Sequence, residues 1–178
     1  LFGFINSAQQ VYVGIYGLGI WFPIAFAAVA GLMSIASFMN SRLVIKYGMR
    51  RVGHTALIGF TAASLINAVW ALIGPVPFPV FISLFAIAMI FFGMIGSNFG
   101  AIAMEPLGAL AGTASSVQGF AQTAIGAIAG GLIGAAFNGT VFPLTAGFAG
   151  VGLLALIFVL IAENGVLFGT SQVASGRH

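Results

Sequence analysis
Two side-chain amides stand out in a chain with little other polar chemistry to offer. Gln118 and Gln122 are four residues apart with Ser115 close by, so the three share one helical face. In steps of four the stripe continues as Gly126, Gly130 and Gly134. At 1.5 Å rise per residue, Gln122 falls roughly 17 Å into a span that starts near residue 111, close to the middle of a bilayer core about 30 Å thick. An amide at that depth is costly against lipid, so this face must look into protein or a watered cavity. Two roles fit both glutamines: contact with a solute crossing the membrane, or hydrogen bonds that tie neighbouring helices. The glycines beyond them allow another helix to approach at backbone distance.

The remaining polar residues are few. Asn6, Gln9, Gln10 and Tyr12 crowd the first apolar segment, where the mouth of a solute path or a water interface explains them equally. Asn98 follows Gly93 and Gly96 in a later span and fits either a solute path or an interhelical bond. Asn67 reads as packing, Trp70 as an interfacial anchor and His54, beside a basic stretch, as a headgroup contact. Both acids, Glu105 and Glu163, fall at helix ends, so no carboxylate is expected inside a span. A proton-coupled carrier needs a titratable group along its path, which would then have to lie outside this sequence. No phosphate-binding loop, metal-ligand cluster or catalytic triad is present, so an ATPase or a membrane enzyme has no support and no cofactor is called for. With no cysteine, disulfides and thiolate chemistry are excluded.

The elements that must position these residues are set by hydropathy. Of 178 residues, 61% are hydrophobic and 4% charged, and mean hydropathy is +1.18. A soluble domain carries about a quarter charged residues to wet its surface, so the solvent here is lipid over most of the surface. The fold class is all-α: a polytopic bundle with helices at about 1–18, 21–45, 54–73, 79–103, 111–136 and 143–162, together a bundle over 1–164, and a tail over 165–178. Asn138-Gly139-Thr140 fits a glycosylation sequon but reads better as a turn. The chain opens on Leu1, not methionine, and its first segment is short and polar; the expectation is that the start of that helix lies upstream. Arg42, Lys46, Arg50 and Arg51 lie within ten residues around Gly48, where a short basic loop is expected over 46–52, and Arg177 lies in the tail. The positive-inside rule puts loop and tail in the cytoplasm, and an even number of spans between them agrees. Membrane lipid is the partner this composition implies. The high isoelectric point comes from these few cations and is no nucleic-acid footprint.

Three stretches carry a family resemblance. Asn40 to Arg51, with Gly48 followed by the basic pair Arg50 and Arg51, resembles the cytoplasmic-loop signature of the major facilitator superfamily, without the acid that usually precedes the pair. Phe4 to Ser7 through Ile15-Tyr16-Gly17-Leu18 looks like the end of the seventh helix in its Bcr/CflA drug-resistance branch. Ala103 to Pro106 through Ala111 to Ser116 looks like that branch's stretch between helices ten and eleven. Gln9 and Gln10 depart from it, standing where that branch more often has apolar residues or proline. The resemblance implies the C-terminal six-helix half of a bacterial inner-membrane exporter, working by proton antiport and alternating access with a six-helix N-terminal half absent here and a small-molecule substrate. Helices seven and ten would line the cavity, eight and eleven would face the other half, and nine and twelve would pack outside. The alternative is a membrane-embedded structural or assembly protein with no transport cycle. A six-helix water pore is disfavoured because its paired asparagine-proline-alanine loops are missing.

Overall fold
The computed structural model describes residues 1–168. These form α1 (Phe2–Gln9), which continues as a π-helical stretch over Gln10–Ile15, then α2 (Phe22–Tyr47), α3 (Met49–Ile73), α4 (Phe78–Met104), α5 (Ala111–Ala135) and α6 (Phe142–Ala162). Short 3₁₀ turns at Gly19–Trp21 and Glu105–Leu110 lead into α2 and α5. Prolines stand in the first turns of α2, α4 and α6, where the missing N–H costs nothing. The first segment is thus not one regular helix to residue 18. Its ladder widens, with the Tyr16 N–H reaching Val11 O, and Gly17 and Gly19 at positive φ turn the chain toward α2.

The basic loop expected over 46–52 shrinks to one residue. α2 runs through Tyr47, Gly48 reverses the chain at φ 83° and ψ 152°, and α3 starts at Met49. The Gly48 N–H bonds back to Val44 O while Gly48 O accepts from Val52 N, so both helix ends share the same hinge. A side chain here would be strained, and Gly48 closes the last bond of α2 with its N–H and opens α3 with its carbonyl, so one residue suffices as the turn.

Packing follows small residues, as it must where lipid tails are as apolar as leucine. α3 lies against α4 and α6, and α2 against α4. One face of α3 is enclosed through Ala56, Ala63, Asn67 and Ala68, while Ile58, Ile66, Val69 and Trp70 are exposed on the other. A methyl at Gly93 of α4 would sit 2.7 Å from Met33 O of α2, and one at Gly152 of α6 would sit 2.6 Å from Thr61 Oγ1 of α3. The Ser37 hydroxyl donates to Gly93 O at 2.9 Å across the same contact. Aromatic rings fill the middle: Phe4 stacks on Phe26 at 4.8 Å and Phe85 on Phe148 at 5.7 Å. At the end opposite Gly48, the Tyr16 hydroxyl donates to Val76 O at 3.0 Å, joining α1's exit to the α3–α4 turn.

Candidate functional site
α5 is the least enclosed of the long helices, and its contact with α1 is made through glycine. A methyl at Gly130 would lie 2.6 Å from Phe2 Cβ and 2.7 Å from Gly3 N and Phe2 C, so backbone meets backbone there. At Gly126 it would meet the Phe2 ring at 2.9 Å, and at Gly134 Asn6 Cβ at 3.3 Å. The three glycines therefore face one helix along its length. One turn beyond Gly126, Gln122 is exposed. Gln118 is half-buried and reaches toward α4, its Nε2 3.9 Å from where a methyl on Gly100 would stand. Ser115, exposed, bonds its own helix at Gly112 O. Asn6 and Gln10 on α1 are exposed.

Asn98 does not share this face. It is 1% exposed, and its Nδ2 donates to Asn40 Oδ1 at 2.7 Å and to Met94 O at 2.8 Å. Of the two roles open to it, the interhelical bond is the one the geometry holds, because an amide pair between α2 and α4 satisfies both buried side chains. In the sequence Asn40 marks the start of the loop stretch over Asn40 to Arg51, and nothing local points to Asn98 as its partner. An amide deep in an apolar span was the signal that it needed a partner.

The charges at the Gly48 end form a site that sequence spacing concealed. The Arg50 guanidinium donates to the Glu163 carboxylate and lies 3.8 Å from Glu105 Oε2. Glu105 and Glu163 cap the C-termini of α4 and α6, and Arg50 sits in the first turn of α3. Each placement alone opposes the helix dipole. Together, one cation between two helix C-termini and two anions beside a helix N-terminus offset those penalties and tie three helix ends. Both acids end spans that, by counting, return to the side of Arg50; counting gives the side but not the pairing. His54 is a correction: expected among headgroups, it is buried. Its Nδ1 accepts the Phe168 N–H at 3.1 Å, Nε2 lies 3.9 Å from Glu163 Oε1, and Phe99 packs near its ring. After Gly165, at φ 80°, residues 166–168 bring Phe168 over His54. Of the other loop cations, Arg42 lies over the Phe38 ring, Lys46 over the Tyr47 ring, and Arg51 is exposed.

Five helices, α2 to α6, are long and apolar enough to cross a membrane, and no strand occurs among the described residues. The chain is an all-helical, polytopic membrane bundle. Over 149 residues, 81% of its length, it is 34% identical to the bicyclomycin resistance protein homolog of Haemophilus influenzae. It spans 36%, about a third, of that relative's length. No family model and no solved structure matches the chain.

Proposed function
We propose that this chain is the C-terminal portion of a drug exporter of the Bcr/CflA branch of the major facilitator superfamily, in a bacterial inner membrane. The observation that carries this reading is the 34% identity to a bicyclomycin resistance protein homolog across most of the chain. In it, α1 and α2 to α6 are helices seven to twelve, a second six-helix half completes the cavity, and proton-driven alternating access moves a small molecule across it. The Gly48 end is cytoplasmic, in keeping with its cations. Cysteines placed at Tyr47 and Asn138, both exposed at opposite helix ends, should react with an impermeant thiol reagent from opposite sides. Reaction of both from one side would overturn that orientation.

On this reading Gln122, one turn before Gly126 on α5 and near mid-membrane, borders the solute path, with Gln118 beside it. The full-length protein in proteoliposomes should export a panel of drugs in a saturable, proton-gradient-dependent way. Gln122→Ala should change the relative rates across that panel by about tenfold while leaving yield unchanged, because one interhelical hydrogen bond in a membrane averages only about 0.6 kcal/mol. Absence of gradient-dependent flux would refute the transport reading. A uniform fall that follows yield would make Gln122 a structural amide.

A further inference from the structure
The Gly48 end of the bundle holds a cavity of about 590 Å³ that the transport reading does not use. It is walled by Leu43 and Tyr47 of α2, Val52 and Ala56 of α3, and Phe91 and Met94 of α4. Its interior is hydrocarbon and aromatic, and its volume lies within the range of about 300–1,000 Å³ typical of ligand pockets. Arg51, exposed, lines the same cavity, and the Lys46 ammonium sits 5.1 Å over the ring of Tyr47. The two described acids, Glu105 and Glu163, both lie against Arg50, which leaves Arg42, Lys46 and Arg51 as a positive edge among the described residues. The cavity is therefore apolar inside and cationic at one border, at the level where helix ends leave the membrane.

We propose that this cavity is a binding site for one anionic phospholipid, with an acyl chain between α2 and α3 on the floor of α4 and its phosphate at Arg51 and Lys46. Charge complementarity selects the occupant. A zwitterionic lipid brings its own ammonium to offset its phosphate and so pairs more weakly with the cations, and a free phosphate would leave the apolar interior empty. Bound there, the lipid would brace α2 against α3 where a single residue, Gly48, joins them. Binding does not depend on transport, so it can fail or hold independently of the exporter reading.

The test is a native mass-spectrometry titration of the full-length protein, purified in neutral detergent, with dioleoyl phosphatidylglycerol and dioleoyl phosphatidylcholine. Phosphatidylglycerol should bind at least about tenfold more tightly. Arg51→Gln should weaken it about fivefold, the effect of one surface cation on an anionic lipid, and leave phosphatidylcholine unchanged. Thr55→Trp, which fills the cavity from an exposed position, should weaken both lipids about tenfold. Leu43→Trp reads the same wall from α2 should Thr55→Trp lower the melting temperature. Equal binding of the two lipids, or no response to Arg51→Gln, would overturn the charge assignment. Unchanged binding in both tryptophan variants, or full competition by soluble glycerol phosphate, would show that no acyl chain is held and would also overturn the proposal.

Discussion

Gly130→Leu is expected to lower the yield of folded, monodisperse protein more than any other single change on α5. The reason is local: even one methyl at this position would stand within 2.7 Å of Phe2 and Gly3 backbone atoms, and backbone has no rotamer to escape into. Overpacking a well-packed core costs about 1–3 kcal/mol where side chains can adjust. Here the whole of α1 must withdraw, and every 1.4 kcal/mol is about a tenfold shift in a two-state population. We expect folded yield to fall about tenfold or more, with export of every compound falling in parallel. Two neighbours calibrate the result. At Gly126 the obstruction is the ring of Phe2, which can swing, so Gly126→Leu should cost markedly less. Gly131 has open space on its side, so Gly131→Leu should be close to wild type. Size-exclusion chromatography of the three variants checks the ranking. Equal behaviour of Gly130→Leu and Gly131→Leu would mean that α1 and α5 do not meet at that glycine.

The second large effect is expected at Arg50. Replacing it with glutamine leaves Glu163, with its side chain 17% exposed, and Glu105, 50% exposed, at two helix C-termini with no cation between them. Hydrogen bonds to charged groups contribute about 1.5–3 kcal/mol, and partial exposure puts this cluster toward the lower end. Arg50→Gln and Glu163→Gln should each lower the thermal midpoint of the purified protein. Glu105→Gln should do so less, because its carboxylate is farther from Arg50 and wetter. The exchange Arg50→Glu with Glu163→Arg should recover part of the loss, since the pair can re-form with reversed polarity. A melt in which the double exchange adds the two single losses would show that Arg50 and Glu163 act independently.

How much of this was readable in the residues depends on what each element needs. The spans were legible because a membrane helix requires about 20 apolar residues, and breakers such as Gly74-Pro75 and Glu105-Pro106 punctuate them. The glycine stripe was legible because a period of four on one helix is a local property. Its partner was not: nothing local says that Gly130 meets Phe2 and not some other helix. The Gly48 hinge is hidden, since polar residues over 46–52 suggest a longer solvated loop and conceal that helix can continue to the glycine on both sides. Asn98 with Asn40, and Arg50 with Glu163 and Glu105, are pairings between residues far apart in the chain, and spacing is silent about such contacts. The burial of His54 is hidden for the same reason, because its cover comes from Phe168, far along the chain.

The claim on which the functional reading turns is that the amide face of α5 borders a watered path. The most direct measurement is the reactivity of single cysteines in the full-length protein, in an otherwise cysteine-free background, toward a small charged thiol reagent. Gln122→Cys should react, and an exported compound should protect it. Phe120→Cys and Ile128→Cys, exposed on other sides of the same helix, should stay inert, because on this reading the watered path is confined to the amide face. If Gln122→Cys is as unreactive as Phe120→Cys, the amide face is sealed against lipid or protein, and α5 does not line a transport path.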